Sequence, residues 1–221
     1  MGNQWGAVWA VFEKDCRAEW RSRAALNSIA LFSIAAPIAA SFSVARQNLE
    51  PELLGGLLWT VLLFAALVGM SRAFVKEEEA GTAAQLRLAF SSDAVFWGKA
   101  LFNLVLLVAT QCAAVPLFAI LLGARLVNPS LLLVVLVCGD VGLAMASALL
   151  GAIASVARAR GSLFAAISVP VLLPLLISAS VASAGAFGAH GDSGFALEMM
   201  ALYDLIIGAA VWMLFDSVWS A

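Results

Sequence analysis

Six apolar runs, each long enough to cross a lipid bilayer, constrain this chain more than any other feature. Each run contains about 19 to 28 residues, and roughly 20 apolar residues span a hydrocarbon core as a helix. Lipid offers no hydrogen-bond partners, so such a run satisfies its own backbone by forming a helix. The predicted spans are Ala24–Val44, Leu53–Ser71, Ala100–Leu122, Ser130–Ala157, Ser162–Ser183 and Ala201–Trp219. The sequence therefore predicts an all-α integral membrane protein with one membrane domain over residues 1–221, whose six-helix bundle covers residues 24–219.

Composition argues against a soluble enzyme and against a nucleic-acid-binding protein. Hydrophobic residues make up 63% of the chain, compared with about 45–50% in soluble domains. No basic stripe is interleaved with aromatic residues, so we expect no nucleic-acid partner. The chain has no phosphate-binding loop of the GxxxxGK[ST] type, and its one histidine, His190, has no Ser/Asp set around it. We expect a non-catalytic subunit without a metal site, in which Cys16, Cys112 and Cys138 are small hydrophobes.

The segment before the first span, residues 1–23, is predicted to be an amphipathic helix on the membrane surface. Its large apolar residues recur at intervals of 4, 3, 4 and 4 and therefore share one helical face. They are Trp5, Trp9, Phe12, Cys16 and Trp20, and the cations Lys14, Arg17 and Arg21 lie on the opposite side. An apolar face backed by cations is typical of an interfacial helix. A signal peptide is disfavoured, because the segment is too long and acidic and many spans follow.

The longest polar interruption, Arg72–Lys99, separates the second span from the third. Thr82 and Gln85 fit a capping box at a helix start, and Leu86 and Phe90 then share one face. We interpret this stretch as a short amphipathic helix at the membrane surface, here called the coupling helix, that docks a soluble partner. The docking residues in this interpretation are Glu79, Gly81, Leu86, Arg87 and Phe90. The alternative is a solvated loop with a few apolar residues resting on lipid.

Lysine and arginine predict the orientation in the membrane, because they concentrate on the cytoplasmic side. A cytoplasmic N-terminus places ten of these residues inside and leaves two, Arg46 and Arg125, outside. The ten are Lys14, Arg17, Arg21, Arg23, Arg72, Lys76, Arg87, Lys99, Arg158 and Arg160. Both termini and the coupling helix are therefore predicted to be cytoplasmic. Trp97, Lys99 and Trp219 are expected to anchor the helices at the interface.

Asp140, in the fourth span, is the strongest candidate for a functional polar group within the membrane. Ionisable residues at this depth are rare and commonly functional. Gly139 and Gly142 beside it are expected to let another backbone approach closely. The alternative is that Asp140 hydrogen-bonds inside the bundle and fixes the packing of the helices.

Three segments resemble the B subunit of the cytochrome c maturation system, the haem exporter family CcmB. They are KDCRAEWRSRAAL near the N-terminus, RAFVKEEEAGTAAQLRLAFSSDAVFWGKALFNL in the centre and LYDLIIGAAVWMLFDSV near the C-terminus. The order of acidic residues, glycine, helix and lysine in the central segment is also similar to that in type 2 ABC permeases generally.

The resemblance implies a multi-pass permease subunit in the bacterial inner membrane that works with an ATPase subunit, CcmA. Its further partners would be the haem-handling subunit CcmC, the small subunit CcmD, the periplasmic haem chaperone CcmE and membrane lipid. Haem would be the transported ligand and ATP would act through the partner, so the chain itself would bind no cofactor. The alternatives are an ABC-2 type exporter for another lipophilic substrate, a scaffold subunit, or a self-sufficient transporter. The last predicts interrupted spans in matching positions, which Pro116, Pro170 and Pro174 do not provide.

Overall fold

Long helices account for nearly all of the chain that the computed structural model describes, which is residues 4–44, 49–79, 86, 88–156 and 160–220. The helices are α1 (Gln4–Ser22), α2 (Ala24–Ser43), α3 (Pro51–Glu79), α4 (Ser92–Leu122), α5 (Pro129–Val156), α6 (Arg160–Ala186) and α7 (Ser193–Ser220). No strand occurs within these described ranges. The all-α prediction is therefore confirmed.

Four of the described helices are long and apolar enough to cross a membrane, and they are α4, α5, α6 and α7. A bent pair made of α1 and Leu26–Phe42 of α2, with 70° between its two parts, passes the same test and brings the number to five. The Pro51–Leu67 part of α3 is a shorter apolar helix. The chain is thus a multi-pass membrane protein, and the sixth span stays a prediction.

Two helices, α4 and α7, begin at side-chain caps that lie outside the predicted apolar runs. Ser91 accepts a hydrogen bond from the Ala94 backbone N–H at 3.4 Å, so α4 begins at Ser92, well before the predicted Ala100. At α7, Asp192 accepts from the Phe195 N–H at 3.0 Å and the helix begins at Ser193, where Ala201 was predicted. Side-chain caps satisfy backbone donors that have no partner within the helix, and they extend the helix beyond its lipid-facing part.

Helix α5 lies at the centre of the bundle and packs against α3, α4, α6 and α7. At Gly139, a Cβ atom would lie 2.0 Å from the Trp59 ring, and the buried Trp59 indole N–H donates to Ser183 Oγ at 2.8 Å. At Gly142, a Cβ atom would clash with the Asp204 carboxylate. The expectation that these glycines admit a neighbouring backbone was wrong, because the space beside them is filled by side chains.

The close approach of two backbones occurs instead between α3 and α6. A Cβ atom on Gly55 would lie 2.3 Å from the Ser180 carbonyl oxygen and 3.0 Å from the Ala184 nitrogen. Small residues on both helices permit this separation, as is common where membrane helices cross. Gly55 therefore fixes how α3 crosses α6, a role that its sequence context did not reveal.

The chain turns sharply between α1 and α2 at Arg23, whose φ of 52° lies in the left-handed region. The Glu19 carboxylate accepts from the Leu26 backbone N–H at 3.0 Å and so caps the start of α2. The Arg23 guanidinium lies 5.7 Å from the centre of the Trp20 ring, a distance at which cation–π attraction operates. These contacts fix the direction in which α2 leaves α1.

Candidate functional site at the end of the bundle formed by α1, α4 and α7

Helix α1 packs across the beginning of α4 through a face that the sequence analysis did not identify. Its buried residues are Val11, Asp15 and Glu19, spaced four apart. Gly98 on α4 makes room for this contact, because a Cβ atom there would lie 2.7 Å from the Val11 side chain. Residues four apart share a helical face, so this stripe holds α1 against the bundle.

The apolar face predicted for α1 is divided in the structure. The side chains of Trp5, Trp9 and Trp20 are exposed, whereas Phe12 and Cys16 pack against a buried cluster of Ile29, Phe102 and Leu106. The predicted cations lie outward: Arg17 pairs with Glu13, Arg21 is exposed, and Lys14 is partly exposed. The middle of this face contacts α2 and α4, so the tryptophans form its exposed part, and the position of α1 on the membrane surface stays a prediction.

Lys99 is fully buried and forms an ion pair with Asp15 across the α1–α4 interface. Its Nζ lies 3.3 Å from Asp15 Oδ2, and Lys14 Nζ lies 3.1 Å from the other oxygen. The prediction that Lys99 anchors α4 at the membrane interface was therefore wrong, because α1 covers it. A buried cation is stable when a carboxylate neutralises it, so Asp15 makes α1 an integral part of the bundle.

Polar side chains continue from Lys99 along the buried side of α4. Asn103 donates to Ser147 Oγ at 3.0 Å, and Gln111 Nε2 donates to Asp140 Oδ1 at 2.6 Å. The stripe from Lys99 to Gln111 extends about 18 Å along the helix. Asp140 is buried, and its hydrogen bond is the arrangement that the packing alternative requires. We call this set of residues on α4 the polar stripe; it fixes the register of α4 against α1 and α5.

The described residues of the predicted docking segment form a helical turn on which Leu88 is the large apolar side chain that faces outward. The Phe90 N–H donates to the Leu86 carbonyl at 3.1 Å, and Leu86, Leu88 and Ala89 are helical. Leu86 is buried and Phe90 partly buried against the core, whereas Leu88 is 91% exposed. The two expected anchors thus contact their own bundle, and Leu88 is the leucine that faces outward.

The other predicted docking residues are described only in part. Gly81 and Arg87 lie outside the described residues, as do Thr82 and Gln85 of the capping box. Glu79 is the last residue of α3, and its side chain is likewise outside the described part. The docking role of the segment is therefore still a prediction.

The end of α7 lies beside the beginning of α4. Ser92 Oγ donates to Asp216 Oδ1 at 2.6 Å, and the Phe96 and Phe215 rings meet edge to face with centroids 4.9 Å apart. Trp97 is half exposed, as expected for an anchor at the membrane interface. Trp219 was also predicted to be an interfacial anchor, but that prediction was wrong, because its side chain is buried and stacks on Phe215. One end of the molecule thus joins α1, the described residues 86 and 88–90, the start of α4 and the end of α7.

The family described as CcmB protein matches the chain over residues 6–218, from α1 to the end of α7. The chain belongs to the CcmB family. Comparison with curated proteins and with solved structures finds no match. As a member of this family, the chain is a membrane subunit that takes part in haem transport during cytochrome c biogenesis, and it is a component of the haem-export complex. The resemblance seen in the sequence is thereby confirmed.

The candidate metal ligands of this CcmB protein do not converge in the described part of the chain. No group of three His, Cys, Asp or Glu residues in that part is placed to hold a metal ion. Cys16 lies on α1 where this helix contacts α2 and α4, and its side chain is partly buried. Burial, and next the carboxylates of Asp15 and Glu13, raise the pKa of the Cys16 thiol, so the neutral form is favoured. Cys16 therefore acts as a small apolar contact, as the sequence indicated.

Proposed function

We propose that this CcmB protein is the permease subunit of an ABC-type haem transport complex and that a partner supplies the ATPase. Binding and hydrolysis of ATP by a CcmA-type subunit would move the end of the bundle where α1, residues 86–90 and α4 meet. This movement would serve haem export or the release of the haem-loaded chaperone CcmE. CcmC and CcmD are the proposed membrane partners, with haem as the transported ligand.

The observation that carries this proposal is the exposed Leu88 on a turn anchored by the buried Leu86. A docked helix binds through a few apolar anchors, and an outward leucine beside a membrane bundle is such an anchor. The buried Leu86 and the partly buried Phe90 connect the turn to the core, so that a displacement of the turn reaches the bundle.

The polar stripe supports transmission of that displacement. The Asp15–Lys99 pair joins α1 to α4, and the Asn103–Ser147 and Gln111–Asp140 hydrogen bonds join α4 to α5. Buried polar pairs allow few alternative registers, because a shift leaves their groups unsatisfied. We infer that α1, α4 and α5 move as a unit.

The proposed orientation places this end in the cytoplasm, with both termini, at the bacterial inner membrane. The ten-to-two distribution of Lys and Arg supports it. An ATPase docked here acts where cytoplasmic ATP is present.

The test is Leu88→Asp, with co-purification of the ATPase subunit as the readout. We expect the variant to insert into the membrane normally and to lose most of the bound ATPase, because an aspartate at the centre of an apolar contact remains unpaired. Leu126→Asp is the control, since Leu126 is also exposed (43%) but lies in the loop between α4 and α5, at the opposite end of α4. Wild-type ATPase yield with Leu88→Asp would show that this turn is a solvated linker. Leu86→Asp is unsuitable, because it places a charge in the core.

A further inference from the structure

A groove between α1, the start of α4 and α7 is lined by three tryptophans and encloses about 500 Å³. We call it the tryptophan groove and define it by Gln4, Trp5, Ser91, Asp93, Trp97 and Trp212. Trp5 and Trp212 are each 86% exposed and Trp97 is 53% exposed, so the described part of the chain leaves these rings open. Exposed tryptophan rings on a membrane protein lie where lipid reaches them, commonly near the headgroups.

The groove is polar at one end and apolar at the other. Ser91 and Asp93 lie at the beginning of α4, whereas Leu101 in the same lining lies about 12–15 Å further along the helix. Trp212 on α7 is one turn deeper than Asp216, which hydrogen-bonds to Ser92 at the start of α4. This polarity along the helix axes is that of a membrane lipid, with a headgroup at the surface and acyl chains below it.

The charge at the polar end selects among headgroups. Asp93 is the charged side chain among the described residues that line the groove, and no Lys or Arg in the described ranges forms an ion pair with it. A carboxylate repels an anionic headgroup and attracts an ammonium group, which can donate hydrogen bonds to it. Indole faces also attract cations. The lining is thus complementary to an amine-bearing headgroup.

We propose that the tryptophan groove binds phosphatidylethanolamine. Its ammonium group contacts Asp93, with Gln4 and Ser91 as further hydrogen-bond partners. Its acyl chains pack on Trp97 and Trp212. The bound lipid fills the space between α1 and α7 and so stabilises the position of α1 on the bundle. This proposal does not depend on ATP coupling.

Native mass spectrometry of the purified protein tests the proposal. The protein is exposed to equal amounts of phosphatidylethanolamine and phosphatidylglycerol with identical acyl chains, and the retained lipid is counted. We expect the wild type to retain phosphatidylethanolamine roughly threefold to fivefold more often than phosphatidylglycerol, and Asp93→Asn to remove most of this preference. Trp212→Leu should lower retention of both lipids, because it removes acyl-chain contact.

Glu52→Gln is the matched control, because Glu52 is also an exposed acidic residue in the first turn of a helix. It should leave the preference unchanged. The proposal would be overturned if the wild type retained the two lipids equally, or if Asp93→Asn preferred phosphatidylethanolamine as strongly as the wild type does. The groove could also hold a protein segment, and a photoreactive amino acid at position 212 distinguishes the two occupants. Crosslinks to lipid in the intact complex support the proposal, and crosslinks to a polypeptide contradict it.

Discussion

Lys99 contributes a positive charge to a buried position, and the Asp15 carboxylate that pairs with it comes from a different helix. Removing one member of a buried pair commonly costs about 3–5 kcal/mol, because the other charge stays buried. The same residue lies at the head of the polar stripe, so its pairing affects both stability and the register of α4. Lys14, which also contacts Asp15, is partly exposed and has much less effect on the buried charge.

Asp15→Asn should therefore lower the thermal midpoint of the detergent-solubilised protein, with a loss of about 1–3 kcal/mol, because the buried Lys99 loses the charged carboxylate of Asp15. The double variant Asp15→Asn with Lys99→Met should recover part of this loss, because it leaves no buried cation. Lys14→Met is the control and should cost about 1 kcal/mol or less. If the thermal midpoint of Asp15→Asn equals that of the wild type, α1 does not cover Lys99 in solution.

At the scale of elements, α1 and α3 show what hydrophobic periodicity misses. The sequence predicted the extent of α1 and placed Trp5, Trp9 and Trp20 on one helical face. It did not predict that a stripe with two acidic residues would be buried, since acidic residues are normally solvated. In α3, adjacent glycines look equivalent in sequence, yet one lies against α6 and the other does not.

Gly55→Ala and Gly56→Ala should therefore change stability in opposite directions. At Gly55 the new methyl group clashes with the backbone of α6, which we expect to cost about 1–3 kcal/mol. At Gly56 a Cβ atom meets nothing within 4 Å, and replacing a helical glycine should stabilise the helix by up to about 1 kcal/mol. Thermal unfolding in one detergent measures both variants side by side. Equal midpoints for the two variants would contradict the α3–α6 contact.

For the whole molecule, the prediction to test is the orientation in the membrane. The distribution of Lys and Arg places residues 72–99 in the cytoplasm and the short connections after the first and fifth spans outside. In intact cells, a membrane-impermeant thiol reagent should label cysteines introduced at Asn48 and Ser193 but not one at Ala84. These variants should be made in a background without Cys16, Cys112 and Cys138. Labelling of the Ala84 variant in intact cells would reverse or abolish the predicted topology.

The sequence by itself determined the all-α membrane class, the family and the approximate position of each helix, although not where α3 ends or where α4 and α7 begin. Long apolar runs in lipid have one way to satisfy their backbone, and that requirement is local to each run. The tertiary structure decided which polar residues are buried: Lys99 is covered by α1, Asp140 is bonded to Gln111, and Leu86 rests on the core while Leu88 faces out. These outcomes depend on which helices become neighbours, and pairing between residues distant in sequence leaves no periodic signal. Local chemistry thus predicts the helices, whereas their packing decides where charge is buried and which surface a partner can reach.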